Sequence, residues 1–408
     1  MRAVQYRFSM PRYGYLKVAG RLRPTEFYGP RSIVSLVDVP EPVLRGPKWV
    51  KLRSVLSGFC GSDLGAILLH DSPTTEPFAA FPFTLGHENC SIVEEVGSAV
   101  TRLKPGDRVT VLPPLGCEAR EIDPPCPSCA RGEVGLCQNF AEGALRPGID
   151  VGFSADTGGG WSKYYQVPEC NVVRVPESFS DLQVALIESL CSSLHQVMRV
   201  RPREGERVLV VGCGVIGLGV IASIRALDID CHVTGIEPHP LNQGKAREKG
   251  ADEIIDPCRE SIYERTVEIT GAHLYKPTLE KPICMGGFDV IFDCVGSTDT
   301  INTSLRVAAS MGRYALIGIT IPKRIDWAPV WMKGLTIVGC HAEGVDEYKG
   351  GVMGTFDVAI DLIAEGKVDL SDLVTHTFTL DEYVEAIKVN MDKAGHNAIK
   401  TIFDLTGE

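Results

Sequence analysis

Two short stretches in the first quarter of the sequence carry side chains that can bind a metal ion. GFCGSD at 58–63 offers the thiolate of Cys60, and LGHENC at 85–90 offers the imidazole of His87 and the carboxylate of Glu88. Three such ligands with a fourth position open are typical of a catalytic zinc site. Each residue alone has an ordinary explanation, such as a buried thiol or a solvent-facing acid, so the prediction depends on the features that accompany them.

A denser cysteine group, PPCPSCARGEVGLC at 124–137, contains three cysteines. Cysteines at such spacing hold a metal ion or form a disulfide. The chain has 14 cysteines, and its N-terminal stretch has charges but no continuous apolar core. We therefore expect no secretory signal and a reducing, cytoplasmic compartment, in which a metal is favoured over a disulfide.

A glycine-rich turn follows the apolar strand RVLVV and precedes a helical pattern. Its residues are Gly212, Cys213, Gly214, Val215, Ile216 and Gly217. The first glycine permits the tight turn, the second lets a pyrophosphate approach the backbone, and the third lets helix and strand pack closely. Glu237 ends the next apolar strand, where a carboxylate can accept both ribose hydroxyls. This pattern favours NAD over NADP, although His239 nearby keeps NADP open, and the alternative is a similar turn without a cofactor.

The elements that must position these residues change in character along the chain. Up to about residue 175, short β-like runs alternate with Gly and Pro, as in a compact β-barrel with long loops. From about residue 180, apolar strands alternate with helical stretches, which predicts a parallel sheet covered on both faces. After about residue 341 this alternation of strands and helices ends, and the final strand AIKTIFDL is expected to return to the first domain.

Composition excludes several other kinds of protein. The chain has 408 residues, enough for two domains, and its net charge of -11 without a basic stripe argues against a nucleic-acid partner. Its longest apolar runs are rich in glycine and fall short of about 20 clean apolar residues, so we expect no membrane span.

Together these motifs resemble the zinc-dependent medium-chain alcohol dehydrogenases. The resemblance includes CGSD, GHE, VGSAVTRLKPGDRV, the cysteine group, the glycine-rich turn, DCVG and AIKTIFDL. It implies an α/β protein with a GroES-like β-barrel catalytic domain at 1–180, in which a structural zinc loop occupies about 114–140. A Rossmann domain with a doubly wound parallel sheet would follow at 181–341, and 342–408 would rejoin the catalytic domain.

The resemblance also implies roles at the first metal site. Cys60, His87 and Glu88 would bind the catalytic zinc, Asp63 would orient the histidine, and Ser62 would relay the substrate proton. The family's third protein ligand is a Cys in simple alcohol dehydrogenases and a Glu in polyol, sugar and threonine dehydrogenases. In ALIESLCSSLHQ we favour Glu188, directly or through the zinc water, over its competitor Cys191.

A second, closed zinc site of this family follows the pattern Cys-x2-Cys-x2-Cys-x7-Cys. Cys126, Cys129 and Cys137 fit its last three positions, but Asp123 stands at the first. We predict that Cys117, six residues earlier, is the fourth ligand, with Asp123 as the fallback. Four thiolates leave no open position, so this zinc would organise a loop and do no chemistry.

Further cofactor contacts follow from the resemblance alone. Their residues would be Val295 in DCVG, Ile317, Gly318 and Ile319 in ALIGIT, and Lys400 near the pyrophosphate. For the apolar members the alternative is simple burial in strands. The family's dimers or tetramers join through the nucleotide-domain sheet, so we expect a homodimer or homotetramer with the strand 335–340 at its edge.

The sequence departs from the family in several places. Ser91 replaces a frequent Gly, and Gly65 stands where a His commonly ends the proton relay, with His70 nearby but out of register. Segments 64–84 and 271–287 look like additions, and their role stays open.

The reaction implied is hydride transfer between NAD and a secondary alcohol or polyol-type substrate, or its carbonyl product, with Zn²⁺ as the Lewis acid. This is the class of NAD(P)-dependent enzymes that act on CH–OH donors. The alternatives are a zinc-free quinone or enoyl reductase of the same fold, and a non-catalytic NAD-binding scaffold.

Overall fold

The computed structural model describes residues 1–339, 341 and 343–408. Two predicted segments include a residue outside this set. The predicted edge strand 335–340 ends at such a residue, and the predicted segment 342–408 begins at one. Among the described residues, no helix is long and apolar enough to cross a bilayer.

The part of the chain that the structure describes contains twenty strands. In chain order they are β1 (Arg2–Tyr6), β2 (Val34–Asp38), β3 (Trp49–Phe59), β4 (Phe83–Thr84), β5 (Asn89–Val96), β6 (Arg108–Val111), β7 (Tyr164–Pro168), β8 (Val172–Arg174), β9 (Arg207–Val211), β10 (His232–Ile236), β11 (Glu253–Ile255), β12 (His273–Tyr275), β13 (Ile283–Met285), β14 (Phe288–Asp293), β15 (Ala308–Leu316), β16 (Thr336–Gly339), β17 (Val345–Tyr348), β18 (Gly351–Gly354), β19 (Val374–Phe378) and β20 (Lys400–Asp404).

Helices fill the connections between these strands. They are α1 (Met10–Leu22), α2 (Gly61–Ile67), α3 (Asp181–Ala185), α4 (Ile187–Val200), α5 (Val215–Ala226), α6 (Pro240–Glu248), α7 (Ile262–Thr270), α8 (Thr298–Val307), α9 (Ala328–Lys333), α10 (Thr355–Ala364), α11 (Tyr383–Met391) and α12 (Lys393–His396).

The first sheet is built around the long strand β3. Its order is β19-β20-β3-β5-β6-β8, with β7 also paired to β3. The end of β3 delivers Cys60 to the N-terminus of α2. The last strand, β20, pairs antiparallel with β3, so that Thr401 stands opposite Phe59. Residues of β20 therefore lie beside the end of β3, directly before Cys60.

The second sheet is parallel and has six strands in the order β11-β10-β9-β14-β15-β16. The direction of strand addition reverses between β9 and β14, and ligands of such sheets bind at the carboxyl ends of the strands at that reversal. The glycine-rich turn joins β9 to α5 at this point. The predicted fold class, a β-barrel-like domain with a doubly wound parallel sheet, is confirmed.

Helix α4 links the two sheets. Twelve of its 14 residues are buried, and its apolar side belongs to one continuous core that includes Val55 of β3 and Val210 of β9. A Cβ on Gly219 of α5 would lie 2.4 Å from Ser193 Oγ, so the glycine lets the two helices approach closely. The first turn of α4 is thereby held at the boundary between the sheets.

Both segments that looked like additions have structure. Segment 271–287 contains the antiparallel pair β12–β13. Segment 64–84 contains the second half of α2 and strand β4, which pairs with β1 in a small sheet of order β2-β1-β4. Helix α1 connects β1 to β2, and Lys17 Nζ on it donates to the Leu69 carbonyl at 2.7 Å.

Candidate active site

Cys60, His87 and Glu88 come together as the sequence predicts. One ligand atom from each lies within 4.8 Å of the others. The second and third residues lie between β4 and β5, which places them opposite the end of β3. A Cβ on Gly58 would lie 1.9 Å from Glu88 Oε2, so this glycine makes room for the carboxylate.

The side chains around His87 suit a metal ligand. Ser62 Oγ lies 3.4 Å from His87 Nε2, and Asp63 Oδ1 lies 3.6 Å from Nδ1 on the other side of the ring. The other carboxylate oxygen accepts a bond from the Cys60 amide at 2.9 Å, which ties the acid to the ligand loop. His87 Nδ1 and Asp63 Oδ1 are buried without a hydrogen-bond partner at normal distance. A sulfur, nitrogen and oxygen donor set with an acid behind the histidine fits zinc.

Charge at this site is set by burial and by close neighbours. Burial raises the pKa of Asp63 to about 6. Burial also lowers the pKa of His87, but Asp63 and Cys60 outweigh it and hold that pKa well above its usual value. The neighbouring acid and thiol therefore favour positive charge at the point where the three ligand atoms converge.

Glu88 is held by two further residues. Lys400 Nζ forms an ion pair with the carboxylate, and both side chains are only 1% exposed. Ser189 Oγ on α4 donates to Glu88 Oε1 at 2.7 Å. Burial opposes ionisation of Glu88, but Lys400 outweighs it and lowers the pKa of the carboxyl group. Lys400 Nζ also donates to the Phe59 carbonyl at 3.3 Å, and a contact of Lys400 with a pyrophosphate stays a prediction.

Glu188 and Cys191 have different surroundings. Cys191 is fully buried in the apolar core between α4 and the sheets. Glu188 accepts a bond from Ser192 Oγ at 3.2 Å and lies outside the group of converging ligand atoms. Burial and the neighbouring Glu343 raise the pKa of Glu188 well above its usual value. A direct ligand role for Glu188 stays a prediction, and Cys191 is a core residue in this arrangement.

Two carboxylates near Glu188 escaped the sequence reasoning. Glu343 is buried between β16 and β17, and the same Ser192 hydroxyl donates to its Oε1 at 3.3 Å. Asp150 follows the cysteine-rich loop, and its Oδ1 is buried without a partner. Glu343 could have been found, because it follows an apolar strand of the parallel sheet, where ligand-binding residues collect. We see no local signal for Asp150.

The structure shows what surrounds Ser91 and Gly65, two positions at which the sequence departs from the family. Ser91 is buried in β5, and its hydroxyl lies 2.9 Å from the Tyr165 hydroxyl. His70 is exposed, and Asp71 Oδ1 lies 3.3 Å from where a Cβ on Gly65 would stand. The side chain that covers Gly65 is therefore a carboxylate.

The cysteine-rich loop forms a second cluster. Its ligand atoms also lie within 4.8 Å of one another, and the cluster comprises Cys117, Cys126, Cys129 and Cys137. The first and last sulfurs are 3.7 Å apart. Asp123 is exposed and is not part of the group. Each sulfur accepts at least one N–H bond, from the amides of Cys117, Cys126, Gln138 and Asn139 and from the Asn139 side chain. Such an arrangement fits four thiolates around zinc.

The glycine-rich turn has the shape that a dinucleotide requires. Gly212 has φ of 83°, and a Cβ on Gly217 would lie 2.0 Å from the Gly212 carbonyl oxygen. Nothing lies within 4 Å of a Cβ placed on Gly214, so the space above this residue is open. Glu237 accepts bonds from the amides of Cys213 at 2.8 Å and His239 at 2.9 Å. Backbone access and a fixed carboxylate fit a pyrophosphate and a ribose.

The loops after β14 and β15 meet beside this turn. A Cβ on Gly318 would lie 2.2 Å from the Val295 carbonyl carbon. Val295 is 39% and Ile319 74% exposed, so burial in strands does not explain these two residues, whereas Ile317 packs against the core. Asp293, which the sequence reasoning missed, fixes the first loop by accepting from the amides of Val295 and Gly296.

Two family models match this chain. "Alcohol dehydrogenase GroES-like domain" matches residues 46–177, and "Zinc-binding dehydrogenase" matches residues 215–365. Together they cover more than half of the sequence. The chain belongs to the zinc-dependent medium-chain alcohol dehydrogenases and is an oxidoreductase of the class that acts on CH–OH groups.

Curated relatives span nearly the whole chain. "Probable D-xylulose reductase A" of Aspergillus clavatus is 29% identical over 378 residues, covering 90% of this chain and 93% of the relative. "Sorbitol dehydrogenase 1" of Saccharomyces cerevisiae is 28% identical over 370 residues, covering 90% and 94%. Among solved structures, 2R,3R-butanediol dehydrogenase from Bacillus subtilis matches with a TM-score of 0.70 and 26% identity, covering 91% and 96%.

Proposed function

We propose that this protein catalyses hydride transfer between NAD and a secondary alcohol of the polyol type, or the corresponding ketone. The observation that carries the proposal is the convergence of a thiol, an imidazole and a carboxylate within 4.8 Å. The relatives named for xylulose, sorbitol and butanediol support the substrate class.

Cys60, His87 and Glu88 would hold the catalytic metal, with Glu188 as a direct or water-mediated fourth group. When bound, zinc supplies a Lewis acid for the alcohol oxygen and NAD accepts a hydride, so that the alcohol loses a hydride and a proton and becomes a carbonyl. The chain's own contribution is to fix the ligands, exclude water and move the proton.

Ser62 Oγ is the first proton acceptor on this route. It lies 3.4 Å from His87 Nε2, the ring nitrogen that faces the converging ligand atoms. A hydroxyl can accept a proton from the substrate and donate its own onward, so no net charge builds up on the serine. Asp71, which covers Gly65, is the nearest carboxylate on the side where the family's relay histidine would project.

Glu237 supports NAD as the cofactor. Its carboxylate is fixed at the glycine-rich turn by two backbone amides. A second acceptor position on the same group can take the ribose hydroxyls, while its charge repels the 2′-phosphate of NADP. We also propose that the protein is cytoplasmic. We propose further that it forms a homodimer or homotetramer, since the edge strand β16 is partly exposed, with Ile337 39% accessible.

Metal analysis combined with a substrate screen tests the proposal. The purified protein is incubated with NAD and, separately, with secondary alcohols, polyols and simple primary alcohols, and formation of NADH is followed. We expect turnover of the first two classes and loss of two hydrogens from the substrate by mass spectrometry. Absence of zinc would contradict the proposal, and zinc without turnover on any alcohol would favour the scaffold alternative.

A further inference from the structure

The side of helix α1 that faces solvent is mainly apolar. The helix spans Met10–Leu22, outside the residues that either family model matches. Six of its exposed residues recur at spacings of three or four, so they lie on one side of the helix. This set, which we call the outer face of α1, comprises Met10, Pro11, Gly14, Val18, Arg21 and Leu22. Met10 is 69%, Val18 67% and Leu22 80% exposed.

The opposite side of α1 fixes the helix to the first domain. Leu16 is fully buried in a core that also contains Leu69. A Cβ on Gly20 would lie 2.5 Å from the ring of Phe27, so this glycine lets the ring close over the helix. Lys17 Nζ donates to the Leu69 carbonyl at 2.7 Å. The helix is therefore held by its inner side, and its outer face stays exposed in the part of the chain that the structure describes.

The charge around this face is opposite to that of the chain. Residues 1–31 contain seven Lys and Arg and one acid, Glu26, whereas the whole chain has 41 Lys and Arg and 52 Asp and Glu. Arg21 lies within the outer face, and Arg12 and Arg23, near the two ends of the helix, are also exposed. None of these three arginines forms an ion pair within 4 Å with a described residue. Their charge is therefore available to an anionic partner.

A lipid surface fits this combination better than a protein or a nucleic acid. A specific protein–protein interface takes about 20–30 residues from each side, whereas the outer face has six. A nucleic acid would pair with the arginines but leave Met10, Val18 and Leu22 in water. A bilayer with anionic lipids offers an apolar layer to these side chains and phosphates to the arginines, and it needs no matching shape.

We propose that the outer face of α1 docks on the surface of a bilayer that contains anionic lipids. The helix lies parallel to the surface, with its three large apolar side chains among the headgroups and the three arginines at the lipid phosphates. Such docking requires no spanning helix, and none is found among the described residues. The contact uses none of the candidate metal or cofactor residues, so the inference goes beyond the proposed function and does not depend on it.

Sedimentation with lipid vesicles tests the proposal on the whole chain. The probes are vesicles of phosphatidylcholine alone and of phosphatidylcholine mixed with phosphatidylserine. We expect the wild type to bind the mixed vesicles about tenfold or more strongly, and to lose this preference at high salt, because exposed arginines meet an anionic surface. Leu22→Glu should weaken binding to the mixed vesicles about tenfold, since it removes an apolar contact and adds a charge that the lipids repel.

Leu279→Glu is the matched control, because Leu279 is 92% exposed and lies in segment 271–287, away from α1 in the sequence. It should leave vesicle binding unchanged, and both variants should keep the melting temperature and alcohol oxidation of the wild type. Equal binding to the two kinds of vesicle, or an equal loss in both variants, would overturn the proposal. If the wild type binds no vesicles and Leu22→Glu converts a larger assembly into a smaller one in gel filtration, the outer face joins copies of this chain and the lipid proposal is wrong.

Discussion

The two clusters of candidate metal ligands both bring their ligand atoms within 4.8 Å of one another, but they are assembled differently. The four cysteines lie within one segment, 117–137, and backbone amides of that same segment and its next two residues surround their sulfurs. Cys60, His87 and Glu88 depend instead on Ser189 and Lys400, which are more than 100 residues away along the chain. A closed site can therefore form locally, whereas the open site exists only when both sheets and α4 are in place.

This difference in assembly indicates different roles for the two clusters, one in stability and one in catalysis. In the cysteine loop all ligands are thiols and no position is left for a substrate. At the open site the candidate ligands differ in type, and charged side chains such as Asp63 and Lys400 lie beside them. Changes at the first cluster should therefore act on folding, and changes at the second should act on turnover.

The largest effect is expected for His87→Ala. Loss of the imidazole removes a metal ligand and the group that Asp63 and Ser62 surround, so kcat/KM should fall about a thousandfold or more. The melting temperature should change little, because the cysteine loop is untouched. His396→Ala, at an exposed position, is the control. Retention of activity within tenfold would remove His87 from the chemistry.

Cys117→Ser tests the cysteine cluster. We expect loss of one zinc per chain and a decrease in melting temperature of about 10 °C or more, because binding of a structural zinc contributes directly to folding. Asp123→Ala, on the same loop, should change neither quantity. The opposite pattern, with Asp123→Ala losing the metal and Cys117→Ser retaining it, would mean that the aspartate is the ligand.

The sequence predicted local features well and long-range pairings poorly. The family spacing pointed to position 123, but Cys117 was preferred over Asp123 because the family's closed site has four thiolates, and the structure brings Cys117 to the other three cysteines. The glycine-rich turn was recognisable because each of its glycines has a separate steric reason. The return of the final strand to the first domain was predicted, but its pairing with β3 was not, so the ion pair between Lys400 and Glu88 was missed; a contact of Lys400 with a pyrophosphate stays a prediction. Glu343 follows an apolar strand and could have been found, whereas Asp150 has no local signal, and the domain boundaries stay predictions.

A third prediction concerns the cofactor. Glu237→Ala should lower the preference for NAD over NADP, measured as the ratio of the two kcat/KM values, by about tenfold or more, since a charge-assisted contact is lost and a repulsion is relieved. Glu253→Ala, on the neighbouring strand β11 of the same sheet, is the control. An unchanged ratio in the Glu237 variant would mean that another group determines the preference for NAD over NADP.

The smallest effect is expected for Ser189→Ala. Glu88 would keep Lys400 but lose the 2.7 Å bond from the serine hydroxyl, so kcat/KM should fall about fivefold, in line with the net contribution of about 1 kcal/mol of one intramolecular hydrogen bond. Ser223→Ala is a matched control, because Ser223 is also a fully buried helical serine and its hydroxyl has no partner. Equal effects of the two substitutions would assign Ser189 to packing alone. The metal content of the catalytic site, measured in parallel, should stay the same in both variants.

The most direct test of two separate sites with separate tasks is the zinc content of three proteins measured side by side. We expect two zinc ions per chain in the wild type and one in each of His87→Ala and Cys117→Ser. The His87→Ala protein should be stable and inactive, and the Cys117→Ser protein should be destabilised. A wild type without zinc, or one in which both substitutions remove the same single ion, would contradict the account.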